Sequence, residues 1–277
     1  MNIECVAFTH NGLVRSGNED CILCDGWIRN QPMVDPIRFS VNTNPSSAPL
    51  FALADGLGGH SSGDVASQFV LSRLCTAIAN STAISEASLS KLLQDIHRSL
   101  FDISGANSSY RGMGATVVGL VADPSGALFL FNVGDSRIYR REDRFLQLLT
   151  KDDRLEASAY GETGLDSHAN SSLLQCLGGV NEFVEIVPHV SRFEMPEVRE
   201  TYLLCSDGVS DLLTQDQMEE SISESLETTV QTLFDRVRNA GAKDNVSIMI
   251  VEISPASTPA APTSIQPTEN GLPEGQP

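Results

Sequence analysis

Residues 115–133 read ATVVGLVADPSGALFLFNV, two runs rich in Val, Leu and Phe parted only by Asp123–Gly126. Runs of this kind, bounded by turn residues, read as β-strands, here Ala115–Ala122 and Ala127–Val133. Four further segments share the pattern: Cys5–Thr9, Leu50–Ala54, Thr201–Cys205 and Val246–Ile253. Helical periodicity is confined to two pairs. Gly63 to about Asn80 places Val65, Phe69, Val70, Leu74, Ala77 and Ile78 on one face, with Ser61 or Ser62 as cap. Ser88–Ile103 repeats Leu89, Leu92, Leu93, Ile96 and Leu100 at helical spacing, with Ser85 and Ser88 as capping residues. The second pair covers Gln215–Glu224 and Leu226–Asn239, the latter with Leu226, Val230, Leu233 and Val237 inward and Gly241 as its stop. Strands in adjacent groups with helix pairs between them disfavour an alternating parallel βαβ fold. They favour an α+β chain of antiparallel sheets with helices packed outside.

The chain has 277 residues, 41% hydrophobic and 19% charged, which suits one large domain with a sizeable core. Its 36 acidic against 18 basic residues give a formal charge of -18, which argues against a nucleic-acid partner and suits divalent cations better. The first residues, MNIECVAFTH, lack a basic start followed by an apolar stretch, and no run has the length of a membrane span. The expectation is a soluble, unexported, cytoplasmic monomer. The cysteines, Cys5, Cys21, Cys24, Cys75, Cys176 and Cys205, sit mostly inside apolar runs and are expected as reduced thiols. Cys21 and Cys24 form a C-x-x-C without the second pair that a structural zinc site needs.

Three stretches read as loops. Gly26–Pro49, rich in proline, reads as a long loop or insertion outside the core, and Asp152–Ser172 as a flap. Residues 254–277, rich in Pro, Ser and Thr, read as a disordered tail after a domain over 1–253.

A set of acid-and-glycine turns stands beside the apolar strands. SGNED ends at Asp20, LFALADGLGGH centres on Asp55, LFLFNVGDSR on Asp135, YLLCSDGVSD on Asp207 and Asp211, and AKDNVSIMIV on Asp244. Any one of these aspartates reads equally well as an ordinary turn residue. Together they suggest convergence, because carboxylate-only clusters are what hard cations such as Mg²⁺ and Mn²⁺ require. Glycine after Asp55 and Asp207 is expected to permit a tight turn that leaves a backbone carbonyl free.

The elements GLVRSGNED, ADGLGGHSSGDVAS, GMGATVVG, NVGDSRIY, LTKDD, LLQCLGG, LCSDGVSD and DNVSIMIV follow one another along the chain. In kind and order this series resembles the PPM, or PP2C-type, serine/threonine phosphatases in their compact bacterial form, from the first strand to about Ile253. The resemblance implies an αββα sandwich of two antiparallel sheets flanked by helix pairs, with metals at one end between the sheets. It implies Asp55 as the carboxylate bridging two Mn²⁺ or Mg²⁺ ions, the Gly56 carbonyl as a further ligand, Asp207 and Asp244 on the first metal, and Glu19 and Asp20 on the second. Asp135 with Asp211 matches the site of a third, weaker metal. Arg15 matches the arginine that binds substrate phosphate.

The implied reaction is hydrolysis of phosphoserine and phosphothreonine by a water activated between the two metals, with phosphorylated proteins, substrates of a serine/threonine kinase, as partners. Monoester hydrolysis is among the slowest uncatalysed reactions, needing accelerations that approach about 10²¹-fold, so positioning and charge neutralisation must both be large. A guanidinium fork suits phosphate because it donates two parallel bonds. Where many eukaryotic members carry histidine after the Asp-Gly, this chain has Leu57, and His60 is a candidate proton donor whose alternative role is to pack at the helix start. Ser136, Arg137, Asn245 and Thr116 read as supports for the site. Rival readings are a phosphohydrolase of small phosphate esters and a catalytically silent adaptor of the same fold.

Overall fold

The computed structural model describes residues 1–42, 47–57, 62–155 and 173–255. The chain opens with β1 (Asn2–His10), β2 (Cys21–Cys24), β3 (Trp27–Arg29), β4 (Ile37–Asn42), β5 (Leu50–Ala54) and the short β6 (Gly56–Leu57). Helices α1 (Gly63–Ala79) and α2 (Glu86–Ala106) follow, then β7 (Gly114–Ala115), β8 (Val117–Asp123), β9 (Ala127–Val133), β10 (Arg137–Glu142) and β11 (Phe145–Leu148). The remainder is β12 (Leu177–Gly178), β13 (His189–Glu194), β14 (Glu200–Cys205), α3 (Asp207–Ser210), α4 (Gln215–Glu219), α5 (Leu226–Asn239) and β15 (Val246–Ser254).

The strands form two large sheets, in the orders β11-β10-β14-β15-β1-β4 and β13-β9-β8-β5-β2-β3, and a small one, β12-β7-β6. Every strand pairing among the described residues is antiparallel, as expected. Residues 115–133 form the β8–β9 pair, with Val117 opposite Val133 and Asp123 opposite Ala127.

Alternation along the second sheet shows how the layers are built. Ile22, Cys24, Phe51, Leu53, Val118 and Leu120 join the core shared with the first sheet and α5. Leu23, Ala52, Ala54, Val117 and Val121 join the core under α1 and α2. Strands covered on both faces read as continuous apolar runs, and β5, β8 and β9 are buried throughout. Cys21 faces the helix-side core and Cys24 the inter-sheet core, so the C-x-x-C pair points to opposite sides of β2. All the cysteines are free thiols.

Helix α2 begins as expected, with the Ser85 hydroxyl accepting from the Ser88 amide and the Ser88 hydroxyl accepting from the Ser85 amide. Helix α5 buries Leu226, Val230, Leu233 and Val237, and Gly241 follows with φ +105°. The buried face of α1 is Ala66, Val70, Leu71, Leu74 and Ile78. Val65, Phe69 and Ala77 flank that face and are only partly buried. Ser62 is the N-cap residue, but its hydroxyl donates to the Ser109 carbonyl rather than capping the helix.

Three expectations need correction. Gly26–Pro49 is not a plain loop, because it carries β3 and β4, and β4 pairs along β1 from Ala7–Ile37 to Asn2–Asn42. An edge strand with one exposed face needs few apolar residues, so IRFSVN escapes a search for apolar runs. The helix starting at Gln215 ends at Glu219, five residues before the expected stop at Glu224. The Asp152–Ser172 segment has an ordered base. Asp153 Oδ2 accepts from the Gly134 amide, Asp152 accepts three bonds from Arg137, and Arg154 bridges to Leu173. Residues 156–172 of that segment and 256–277 of the tail lie outside the described residues, and β15 continues through Ser254.

Candidate active site

Antiparallel pairing brings strand starts and strand ends to one edge. Asp55 leaves β5 and Asp20 enters β2 beside it, since Cys21 pairs with Ala54. Asp207 follows β14 where Asp244 leads into β15, and Asp135 follows β9. The five acid turns therefore gather at one end of the sandwich.

Glycine is needed after Asp55 and Asp207 for close approach rather than for a tight turn. A Cβ on Gly56 would stand 2.1 Å from the Gly63 carbonyl oxygen at the start of α1, and one on Gly208 would stand 1.8 Å from the Asn245 carbonyl oxygen. Neither glycine has a positive φ. The Asp-Gly pairs are thus the points where acid-bearing segments are pressed together.

Hydrogen bonds then hold the acids. Thr116 donates its amide to the Asp55 carbonyl at 2.9 Å, its hydroxyl accepts from the Asp55 amide at 3.3 Å, and Ser136 meets that hydroxyl at 2.8 Å. Asn245 Oδ1 accepts from the Glu19 amide at 2.7 Å, while its Nδ2 donates to the Asn11 and Gly17 carbonyls. Ser206 donates to Asp20 Oδ2 at 2.9 Å and accepts from the Ser247 amide at 3.0 Å. Asn18, Thr9 and Ser247 continue this polar string through the interior. Thr116, Ser136 and Asn245 support the site as the sequence implies, whereas Arg137 acts at the flap base through Asp152.

The electrostatics are those of an anion cluster short of positive charge. Burial pushes the Asp20 carboxyl up to about 7, against bonds from Ser247 and Ser206 and with the charges of Asp207 and Asp244 adding to the rise. Asp207 is raised to about 6 by burial and then by the charge of Asp135. Asp55 lies well above the usual carboxylate range through burial, the charges of Asp20 and Asp207, and a hydrogen bond that keeps its proton between it and Asp207. Burial also raises Glu19 and Asp135. Asp20 Oδ1 is buried without a hydrogen-bond partner. An orphaned carboxylate oxygen among carboxyls that resist ionisation is a donor set fitted to cations.

Two arginines stand among these acids. Arg15 donates to Asp244 Oδ2 at 2.7 Å, with more than half of its side chain exposed. Arg154, which the sequence reading passed over, bonds Asp135, Asp207 and Asp211 together. The LTKDD element stops one residue short of it, and neither periodicity nor an acid turn marks a lone arginine. Among the described residues no three potential ligands already stand at metal spacing, and the guanidinium groups are the cations between the carboxylates. The structure thus brings Glu19, Asp20, Asp55, Gly56, Asp207 and Asp244 to one place with Arg15 at its rim, and Asp135 and Asp211 to the far side around Arg154. His60 lies outside the described residues.

A groove of about 920 Å³ opens beside Arg15 and Glu19, lined also by Asn11, Asn30, Gln31, Asp64 and Asn245. No helix among the described residues is long and apolar enough to cross a membrane.

Known proteins are similar to this chain in sequence and in fold. The serine/threonine phosphatase stp of Listeria monocytogenes is 30% identical over 221 residues, 76% of this chain and 86% of that protein. The serine/threonine protein phosphatase PstP of Mycobacterium tuberculosis is 27% identical over 265 residues, 89% of this chain but 44% of that protein. The structure of the S. agalactiae serine/threonine phosphatase superposes with a TM-score of 0.73 at 23% identity, covering 90% of this chain and 98% of that one. The catalytic domain of PstP in complex with two manganese ions superposes with a TM-score of 0.69 at 25% identity, covering 92% of this chain and 100% of that one. Residues 28–247, which carry all but the first of the acid turns and the last strand's end, match the family described as Protein phosphatase 2C, and with that match and that fold the chain belongs to the protein phosphatase 2C family.

Proposed function

We propose that this chain is a metal-dependent protein phosphatase that hydrolyses phosphoserine and phosphothreonine, using two Mn²⁺ or Mg²⁺ ions. The observation that carries the reading is the crowded, mutually repelling set of fully buried Asp20 and half-buried Asp55 and Asp207, with one oxygen of Asp20 left without a partner among the described residues. Asp55 would bridge the two ions, with the Gly56 carbonyl beside it, Asp207 and Asp244 on one ion, and Glu19 and Asp20 on the other. When bound, such ions neutralise phosphate charge and lower the pKa of a coordinated water to near neutral.

The protein's own groups do the positioning. Arg15 is exposed at the rim and, among the described residues, pairs with the cluster through Asp244, which leaves donors to take substrate phosphate in a two-point grip. Thr116 and Asn245 fix the backbones of Asp55 and Glu19. The side-chain amides of Asn11, Asn30 and Gln31 line the groove beside Arg15 and offer hydrogen-bonding groups to a peptide backbone, which supports phosphoproteins over small phosphate esters. A cytoplasmic setting, with proteins phosphorylated by a serine/threonine kinase as substrates, accords with the six free cysteines.

Hydrolysis of a phosphothreonine peptide should require Mn²⁺ or Mg²⁺, stop with EDTA, and fall to background in Asp207→Asn. A folded wild-type chain that is inactive with both ions would sink the reading, and the adaptor alternative would replace it.

A further inference from the structure

Arg154 occupies an unusual position for a loop residue beside an acid cluster. Its side chain is only 17% exposed. Nε donates to Asp135 Oδ2, Nη1 to Asp211 Oδ1 at 2.7 Å, and Nη2 to both Asp211 Oδ2 and Asp207 Oδ2 at 3.1 Å. The fork therefore grips Asp211 with two parallel bonds while its remaining edge binds Asp135, which is itself 4% exposed. This geometry belongs to guanidinium and not to a flexible ammonium.

Its backbone is fixed as well. Arg154 pairs with Leu173, the Leu174 amide donates to the Asp153 carbonyl at 2.7 Å, and the Asp153 amide donates to the Gly134 carbonyl at 2.9 Å, one residue before Asp135. Asp153 Oδ1 lies 2.8 Å from His189 Nε2, and Asp152 is held by Arg137. The segment that delivers Arg154 is thus pinned to β9, β10 and β13 at several points. The fork arrives as a fixture of the fold.

We propose that Arg154 is the resident cation of the outer carboxylates Asp135 and Asp211, and thereby sets how many divalent ions the chain takes up. A carboxylate oxygen that accepts a guanidinium bond has that lone pair engaged. A divalent ion placed between the same two carboxylates would also face the positive charge of Arg154 at contact distance, so guanidinium and ion exclude each other. The inner set is met far less fully: among the described residues Arg154 touches one oxygen of Asp207 at 3.1 Å, Arg15 touches Asp244 from the exposed rim, and no arginine or lysine pairs with Asp20 or Asp55. Divalent ions are accordingly confined to the inner carboxylates, and the outer pair serves to dock the flap base. This inference rests on the metal reading above.

The test is Mn²⁺ titration of the metal-stripped 277-residue chain, followed by calorimetry and by the paramagnetic resonance signal of free Mn²⁺. In the wild type, Asp211→Asn should leave the number of bound ions unchanged. Arg154→Ala should admit about one further ion per chain, or tighten the weakest site by about tenfold or more, the scale of a lost charge-assisted contact. Adding Asp211→Asn to Arg154→Ala should remove that gain. Arg154→Lys, which keeps the charge but loses the fork, should fall between wild type and alanine. A wild-type count that drops with Asp211→Asn overturns the proposal, as does an Arg154→Ala isotherm that overlays the wild type. If Arg154→Ala does not fold, the Asp211→Asn and Arg154→Lys isotherms decide alone. Mn²⁺ uptake by none of the proteins would overturn the metal reading and this inference together, whereas uptake insensitive to Arg154 overturns this inference only.

Discussion

Asp20 and Asp135 are both almost wholly buried at the same end of the sandwich, yet the protein satisfies them by different means. Asp135 receives the charged fork of Arg154. Asp20 meets only the neutral hydroxyls of Ser206 and Ser247, with Ser206 on Oδ2 and no hydrogen-bond partner for Oδ1 among the described residues. A hydroxyl satisfies an oxygen's hydrogen-bonding capacity without cancelling its charge, so the inner region keeps an unmet demand for positive charge that the outer region has already met. The contrast implies that inner substitutions should cost activity while relieving the metal-free fold, and that outer ones should act on metal count and docking.

The largest expected effect is at Asp55. Asp55→Asn keeps shape but removes the charge that the proposed ions would share, so phosphatase activity should fall by at least about 10³-fold, roughly 4 kcal/mol of transition-state stabilisation. The same change removes a half-buried carboxyl crowded by the charges of Asp20 and Asp207. Its melting temperature in EDTA should therefore rise. Activity within tenfold of wild type, or a lower metal-free melting temperature, would erase the inner-outer distinction.

Next in size is a purely steric change. Gly208→Ala drives a Cβ to within 1.8 Å of the Asn245 carbonyl oxygen and forces apart the two turns that carry Asp207 and Asp244. Overpacking of this kind costs about 1–3 kcal/mol, read as a lower urea midpoint. A Cβ at Gly105, in α2, meets nothing within 4 Å, so Gly105→Ala should be neutral or stabilising by up to about 1 kcal/mol. Equal effects at the two glycines would mean that close approach is not what Gly208 provides.

A third effect is one of pH. Stability changes with pH in proportion to the protons bound by the unfolded chain less those bound by the native one. An unperturbed Asp releases its proton near 3.8, whereas native Asp207 and Asp20 hold theirs to about 6 and about 7. The native chain binds more protons across that window. Its metal-free stability is full below the unfolded value and is lost as pH rises through 6 and 7. Mn²⁺ requires the deprotonated ligands, so the stabilisation it adds should grow over the same range. Melting temperatures in EDTA and in saturating Mn²⁺ between pH 4 and pH 8 should therefore diverge. An EDTA curve that climbs across this window would contradict the inner demand for charge.

How much of this was legible in the sequence follows from the same contrast. Strands buried on both faces, such as β5, β8 and β9, announce themselves as apolar runs, and the capping box of α2 and the glycine stop of α5 are written in local chemistry. The inner acids were visible because each sits in an Asp-containing turn beside such a strand. Half-exposed strands were not visible: β4, β10, β11 and β13 carry polar faces and depend on a neighbour to be strands at all. Arg154 was hidden for a different reason. Its role depends on three aspartates from two distant turns, Asp135 on one and Asp207 and Asp211 on the other, which only the folded chain brings around it.

The smallest expected effect is at Ser206, whose hydroxyl spans the gap between Asp20 and β15. It donates to Asp20 Oδ2 and accepts from the Ser247 amide, and all three residues have no exposed surface. Ser206→Ala removes both bonds without changing charge or adding bulk. It leaves the Ser247 amide without that acceptor and Asp20 with one donor fewer, at a cost of about 1–3 kcal/mol for buried groups left unpaired. Because the Ser206 bond lowers the Asp20 pKa, its loss should shift the pH at which Mn²⁺ begins to bind upward. The corresponding outer change, Thr150→Val, removes a hydroxyl that accepts from the Ile138 amide at 3.2 Å, and should leave that pH where it is. If both variants shift the Mn²⁺ pH profile alike, hydroxyl support of Asp20 is not what distinguishes the inner carboxylates from the rest.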